Sequence, residues 1–304
     1  MRILIQLPEG LKRKALELAG ELEKKGNEVF ISSSPCYGAC DLALDEARRI
    51  KADKIIHYGH SDYGVKSDIP VEYVVFDEEI EFEGILKKSL EFLKNYKKIG
   101  LVTTVQHVKQ LPEIKKFLEE NGKKVLIGKP SGLAKYPGQL LGCDTGSAKS
   151  IEKEVDCFLY FGGGIFHPVG AAIGTEKPFL AVDPFINKIQ FLDKERDRAR
   201  KRKRGTLLKA IEAENFGIIC STKPGQLNLE AAKEIKRKLK EVGRSAHILI
   251  SNEINFESLE NFVHFDCFIN TACPRVAVDD FERIRKPMLG VDDFKELIEL
   301  LKIK

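Results

Sequence analysis

Residues 157–168 read CFLYFGGGIFHP, an apolar run that breaks on three consecutive glycines. Two other stretches share its pattern, KIIHYGHSDYG at 54–64 and CFINTACPRVA at 267–277. Each begins with a short apolar run bounded by turn residues, as a strand buried on both faces does. Cys157 and Cys267 stand at the head of their runs beside phenylalanine and read as core thiols. In the last copy, Thr271-Ala272-Cys273-Pro274 ends the strand, because proline offers no N–H to a ladder and holds the residue before it extended. The Cys273 thiol is thereby placed at a strand tip, where open α/β sheets bind their ligands.

Working outward, the same order of elements surrounds all three stretches. RILIQLPEG reads as a strand, LKRKALELAGELEKKG as a helix closed by Gly26, and EVFISSSPC as a strand. A helix in DLALDEARRIKA and the strands KIIHYGH and VEYVVFD follow. The second copy runs KIGLVTTVQH, LPEIKKFLEENG, KKVLIGKPSG, CFLYFGGGIFHP and PFLAVDPF. The third runs NFGIICSTKPGQ, LEAAKEIKRKLKEVG, SAHILISNEI, CFINTACP and KPMLGV. This alternation predicts an α/β protein of three similar Rossmann-like domains with parallel sheets, arranged around a pseudo-threefold centre. The expected domains are 1–97, 98–205 and 206–304, divided at the polar NYKK and after a basic run. A chain of 304 residues fits two or three domains of about 100–150 residues.

Composition narrows the class. Hydrophobic residues make up 43% and charged residues 32%, which predicts a soluble folded chain. No apolar run reaches the ~18 residues of a membrane span, and MRILIQLPEG reads as a first strand, not a signal peptide, so a cytoplasmic location is expected. Seven cysteines, an odd number scattered without a signal sequence, argue against a disulfide framework and for thiols used on metal or in catalysis. The net charge of +4 is mild. The one dense basic run, KERDRARKRKR at 194–204, is interrupted by acids and lacks stacking aromatics, so direct nucleic-acid binding is not expected. It reads as a solvated helix face or a protein-docking patch.

Each copy carries one cysteine in a loop beyond a strand: Cys40 in SPCYGACD, Cys143 in YPGQLLGCD and Cys273 in TACPR. Three converging thiolates suit a 4Fe-4S cluster that keeps one iron open, and with a water or histidine they equally suit zinc. Spacing does not separate the two, and the short loop holding three cysteines is absent. Cys36, four residues before Cys40, is open between ligand, redox thiol and plain loop thiol, and Cys220 has no assigned role. His57, His60 and His107 fall near strand ends and leave a mixed Cys/His metal site open, while His247 and His264 look peripheral. No Ser-His-Asp arrangement is readable.

The segments PCYGACD, YPGQLLGCD, FGGGIFHPVGA, STKPGQ and TACPRVAVDD, in this order along the whole chain, resemble the archaeal 2-(3-amino-3-carboxypropyl)histidine synthases of diphthamide biosynthesis. The resemblance implies a homodimer of three α/β domains, with a 4Fe-4S cluster held by Cys40, Cys143 and Cys273. It implies a noncanonical radical enzyme that takes S-adenosylmethionine as co-substrate and an electron donor as partner. The Cγ–S bond is cleaved, and the 3-amino-3-carboxypropyl group passes to C2 of a histidine on translation elongation factor 2. No catalytic residue beyond the cluster is implied. One departure is CDLALDEA after Cys40, where some relatives have adjacent cysteines. For the S-adenosylmethionine pocket the candidates are Gly162, Gly163, Gly164 and His167, since glycines at a strand end let backbone approach a ligand. Asp183 and Gln226 stand at analogous strand ends. Two alternatives remain at this level: a 4Fe-4S dehydratase of the quinolinate synthase type, and a non-enzymatic binding protein stabilised by zinc.

Overall fold

A computed structural model describes residues 1–130, 132–279, 283 and 285–303. Asp280, the last residue of the TACPRVAVDD motif, lies outside them. The chain divides into two compact units, Met1–Arg196 and Asp197–Lys304.

The first unit contains two sheets. One is built from β1 (Arg2–Gln6), β2 (Glu28–Ile31), β3 (Lys54–Tyr58) and β4 (Val71–Val74), in the order β2-β1-β3-β4 and parallel throughout. The other uses β5 (Lys98–Thr103), β6 (Lys124–Leu126), β7 (Cys157–Phe161), β8 (Phe179–Asp183) and β9 (Lys188–Phe191), in the order β6-β5-β7-β8-β9. Only β9 pairs antiparallel. The second unit holds β10 (Asn215–Ser221), β11 (Ser245–Ser251), β12 (Cys267–Asn270) and β13 (Met288–Gly290), in the order β11-β10-β12-β13, all parallel. The three sheets thus repeat one winding, as the sequence pattern predicts.

Alternation along each strand sends side chains to two apolar layers, which is what a parallel sheet covered by helices on both faces requires. In β7, Cys157, Leu159 and Phe161 enter one core cluster while Phe158 and Tyr160 enter another. In β12, Cys267 and Ile269 go one way and Phe268 the other. The first and third strands of each repeat also trade volume. Gly100 pairs in register with Phe158, and Gly217 with Phe268, whereas the first sheet pairs Leu4 with Ile55. A Cβ at Gly217 would stand 2.7 Å from Phe268 Cδ1, and one at Gly100 2.5 Å from Phe158 Cδ1. One ring lies over a bare backbone in two sheets; two aliphatic side chains share the space in the third.

The expected strands end earlier than their apolar pattern. FGGGIFHP is not a continuation of β7: the chain turns at Gly162, and Phe166–Ile173 is a helix with Pro168 in its first turn, where a missing N–H costs nothing. A helix over Glu83–Phe92 and the edge strand β9 add to the predicted order. The basic run lies in a 19-residue helix, Asp193–Ile211, whose buried residues are Ala199, Leu207 and Ala210.

Candidate metal centre

Six of the seven cysteines fall into two environments, and Cys36, buried in a loop, belongs to neither. Cys157, Cys220 and Cys267 lie within strands and have no solvent exposure. Burial pushes the Cys157 thiol up to about 12 and raises Cys267 as well, so both stay protonated and inert. Cys40 and Cys273 are half-buried and Cys143 is exposed, all in loops that follow strands. Each of these three thiols lies outside the cores and past a parallel strand, and thiolates of that kind are the ligands an iron–sulfur cluster takes. Cys40 and Cys143 follow the second strands of their repeats, β2 and β6, whereas Cys273 follows the third, β12.

Each loop is shaped by polar side chains bonding to backbone. In the Cys40 loop the buried Gln6, at the end of β1, donates Nε2 to the Asp41 carbonyl at 2.6 Å, and its Oε1 accepts the Ala43 N–H at 3.1 Å. Lys12 Nζ donates to the Ser33 and Ser34 carbonyls at 3.1 and 3.0 Å. In the Cys143 loop the fully buried Gln139 accepts the Lys135 and Tyr136 N–H groups on Oε1. Asp144 accepts the N–H groups of Leu133, Ala134 and Gly146. In the Cys273 loop Asn270 donates Nδ2 to the Cys273 carbonyl at 2.7 Å and accepts the Ala272 N–H at 3.0 Å, while Thr271 Oγ1 donates to the Ile219 carbonyl.

Within the first unit, the segment after β3 joins the Cys143 loop to the Cys40 side. Gln139 Nε2 donates to Ser61 Oγ at 3.1 Å, and Tyr63 Oη lies 3.7 Å from Cys143 Sγ. Three residues upstream, His60 Nδ1 meets His57 Nε2 at 2.9 Å, and His57 Nδ1 meets Gln6 Oε1 at 3.0 Å. Burial lowers His57 to about 3, helped by its neighbour His60, and burial lowers His60 to about 4, so both rings are neutral near pH 7. His107 lies elsewhere, in a 3-10 turn at Val105–Gln110. Its Nδ1 is 2.9 Å from the Glu78 carbonyl and its ring packs on Phe161 and Phe185. His247 and His264 are exposed.

A family model described as "Putative diphthamide synthesis protein" matches residues 7–301. The chain belongs to that family. The 2-(3-amino-3-carboxypropyl)histidine synthase of Pyrococcus horikoshii is 40% identical over 300 residues, which is 98% of this chain and 86% of that protein. The Methanocaldococcus jannaschii protein of the same name is 27% identical over 97% of this chain and 83% of its own length. The human relative, named as subunit 1 of the synthase, is 27% identical over 95% of this chain and 66% of its own. Among solved structures, Pyrococcus horikoshii Dph2 with its 4Fe-4S cluster superposes with a TM-score of 0.90 at 39% identity, covering 98% of this chain and 86% of that one. A diphthamide-synthesis fold of three α/β sheets is thus the setting for the three strand-end cysteines.

The glycine turn of this family member follows β7. Gly162 adopts φ +148, Gly164 adopts φ +67, and a Cβ at Gly162 would stand 2.8 Å from Tyr160 Oη. Asp183, at the end of β8, is 8% exposed, and it spends its carboxylate on backbone. Oδ2 accepts the Gly164 N–H at 2.7 Å, and Oδ1 accepts those of Phe185 and Ile186. His167 is half-buried on the first turn of the helix Phe166–Ile173, edge-on to Phe166. Gln226 lies in the second unit, in the turn after β10, where its N–H bonds the Lys223 carbonyl at 2.9 Å. Beside it the buried Lys223 ion-pairs Glu253 through Nζ at 2.5 Å. Gln6, Gln139 and Lys223 had no sequence signal, since each is one polar residue inside or next to an apolar strand.

Proposed function

We propose that this chain is a 2-(3-amino-3-carboxypropyl)histidine synthase carrying out the first step of diphthamide biosynthesis. It moves the 3-amino-3-carboxypropyl group of S-adenosylmethionine to C2 of a histidine on elongation factor 2. The C2–H bond of the imidazole is replaced by a bond to Cγ, the Cγ–S bond breaks, and methylthioadenosine and a proton leave. The observation that carries this reading is the whole-chain family match with a cysteine at a strand end in each of three α/β repeats. Cys40, Cys143 and Cys273 are the residues that would hold the cluster. When bound, the cluster supplies an electron of low potential and an iron with an open position.

The chain's own contribution is positioning. Gly162, Gly163 and Gly164 present bare backbone to S-adenosylmethionine, His167 offers a polar ring, and Asp183 holds the glycine turn in shape. Gln226 contributes from the second unit. The assembly is a homodimer of three-domain chains, with domains 1–97, 98–205 and 206–304, working in the cytoplasm with a separate electron donor. No helix among the described residues is long and apolar enough to cross a membrane. Incubation of the anaerobically reconstituted protein with dithionite and S-adenosylmethionine tests the bond that breaks. Methylthioadenosine is the expected product, and 5′-deoxyadenosine as the main product would reject the reading.

A further inference from the structure

Beyond the three strand-end cysteines, one cluster in the first unit has the composition and burial of a second metal site. Cys36 Sγ and a ring nitrogen from each of His57 and His60 lie within 4.8 Å of one another. Cys36 is 4% exposed, His57 is fully buried and His60 is half-buried. We propose that these three side chains bind one zinc ion, distinct from the iron–sulfur centre, which ties the Cys40 loop to the end of β3.

The donor set is one sulfur and two imidazole nitrogens, the borderline mixture that zinc takes in tetrahedral sites. Around such an ion, ligand atoms at about 2.0–2.3 Å from the metal stand about 3.3–3.6 Å apart. The two ring nitrogens at 2.9 Å have to open by about half an ångström, and Cys36 has to close by about one, which side-chain rotation supplies. The fourth position is left for water.

The surroundings already set the ligand atom of His57. Gln6 turns its amide nitrogen to the Asp41 carbonyl, so its Oε1 is the acceptor that faces His57 Nδ1. His57 therefore carries its proton on Nδ1 and turns its Nε2 lone pair to His60 Nδ1 at 2.9 Å, and His60 frees its Nδ1 for the metal by carrying its own proton on Nε2. A ligating histidine whose second nitrogen is fixed by a hydrogen bond is the usual arrangement at a metal. Both rings are neutral, the form that coordinates. The Cys36 thiol, raised to about 12 chiefly by burial, makes a long 4.0 Å contact to the Gly38 carbonyl. A cation is what such a buried sulfur lacks: binding it expels the thiol proton and leaves a neutralised thiolate.

The consequence is mechanical. Cys36 and Cys40 share one loop, and Ser61 and Tyr63 continue from His60 to Gln139 and Cys143. An ion held by Cys36, His57 and His60 fixes the base on which two cluster cysteines stand.

The test uses the full chain, reconstituted anaerobically with iron and sulfide, exposed to zinc chloride, freed of loose metal by gel filtration and analysed for both metals. The wild type should keep about one zinc per chain beside its cluster iron. Cys143→Ala should lose iron and keep zinc. Cys36→Ser and His60→Gln should lose zinc, and Gln6→Leu should weaken it by about tenfold or more. Because a misfolded variant loses metal trivially, zinc-edge X-ray absorption of the wild type gives an independent reading, with one sulfur and two imidazoles expected. A wild type that binds no zinc overturns the proposal. So does a zinc shell of three sulfurs, or zinc retained in full by both Cys36→Ser and His60→Gln.

Discussion

A cysteine's place in the sheet decides what its sulfur can do. Cys157 and Cys267 sit at the heads of buried strands with raised thiols, while Cys40, Cys143 and Cys273 lie past strand ends in loops cut to shape by Gln6, Asp144 and Asn270. Single replacement of Cys40, Cys143 or Cys273 by alanine should abolish iron retention after anaerobic reconstitution. Cys157→Ala and Cys267→Ala should retain iron and lose about 1 kcal/mol of stability. Full cluster occupancy in Cys143→Ala contradicts a cluster shared among three repeats. Asp183 acts one step removed, through three backbone N–H groups. Asp183→Asn leaves one of its two acceptor atoms a donor facing N–H groups, at a cost of about 1–3 kcal/mol. S-adenosylmethionine binding should weaken while iron content stays at the wild-type level, read by equilibrium dialysis and elemental analysis.

At the scale of elements, the fit between first and third strands is the tightest constraint. Gly217→Ala pushes a methyl into the Phe268 ring and should cost about 1–3 kcal/mol, seen as a lower denaturant midpoint at unchanged slope. Phe268→Leu in the same chain should recover part of that loss; an unchanged midpoint in Gly217→Ala contradicts the packing. The three-fold strand order was legible because buried parallel strands are short apolar runs, each punctuated by a turn. The third strands KIIHYGH, CFLYF and CFIN carried most of that signal. The short edge strand β9 was not legible, since KIQF is four residues with one polar side and pairs only at the rim. The helix Phe166–Ile173 was hidden behind three glycines that read as strand end. At the site, the three loop cysteines stood out by their motifs. Gln6 and Gln139 did not, because their bonds reach backbone and side chains up to 78 residues away and leave no local spacing to read. The meeting of Cys36, His57 and His60 was open from position near strand ends, and only side-chain geometry singled it out from His107.

For the whole molecule, the proposed transfer takes a folded protein as acceptor, and docking of that protein should be sensitive to charge. The helix Asp193–Ile211 exposes Lys201 and Arg204, whereas Lys203 is engaged by Asp293 at 2.7 Å. Replacing Arg200, Lys201, Arg202 and Arg204 with Gln, and leaving Lys203 in its ion pair, should raise the apparent KM for elongation factor 2 at low salt. The difference should fade as ionic strength rises, because steering is screened over about 10 Å at 0.1 M. Cleavage of S-adenosylmethionine without the factor should be unchanged. Normal modification at every salt concentration assigns the run to a solvated helix face. The central claim is the transfer itself. The most direct measurement is an anaerobic incubation of the reconstituted chain with dithionite, elongation factor 2 and S-adenosylmethionine labelled in its aminocarboxypropyl carbons, followed by peptide mass spectrometry of the factor. Label on C2 of a single histidine, with an equal amount of methylthioadenosine, is the predicted result; a cluster-loaded enzyme that leaves the factor unlabelled would contradict it.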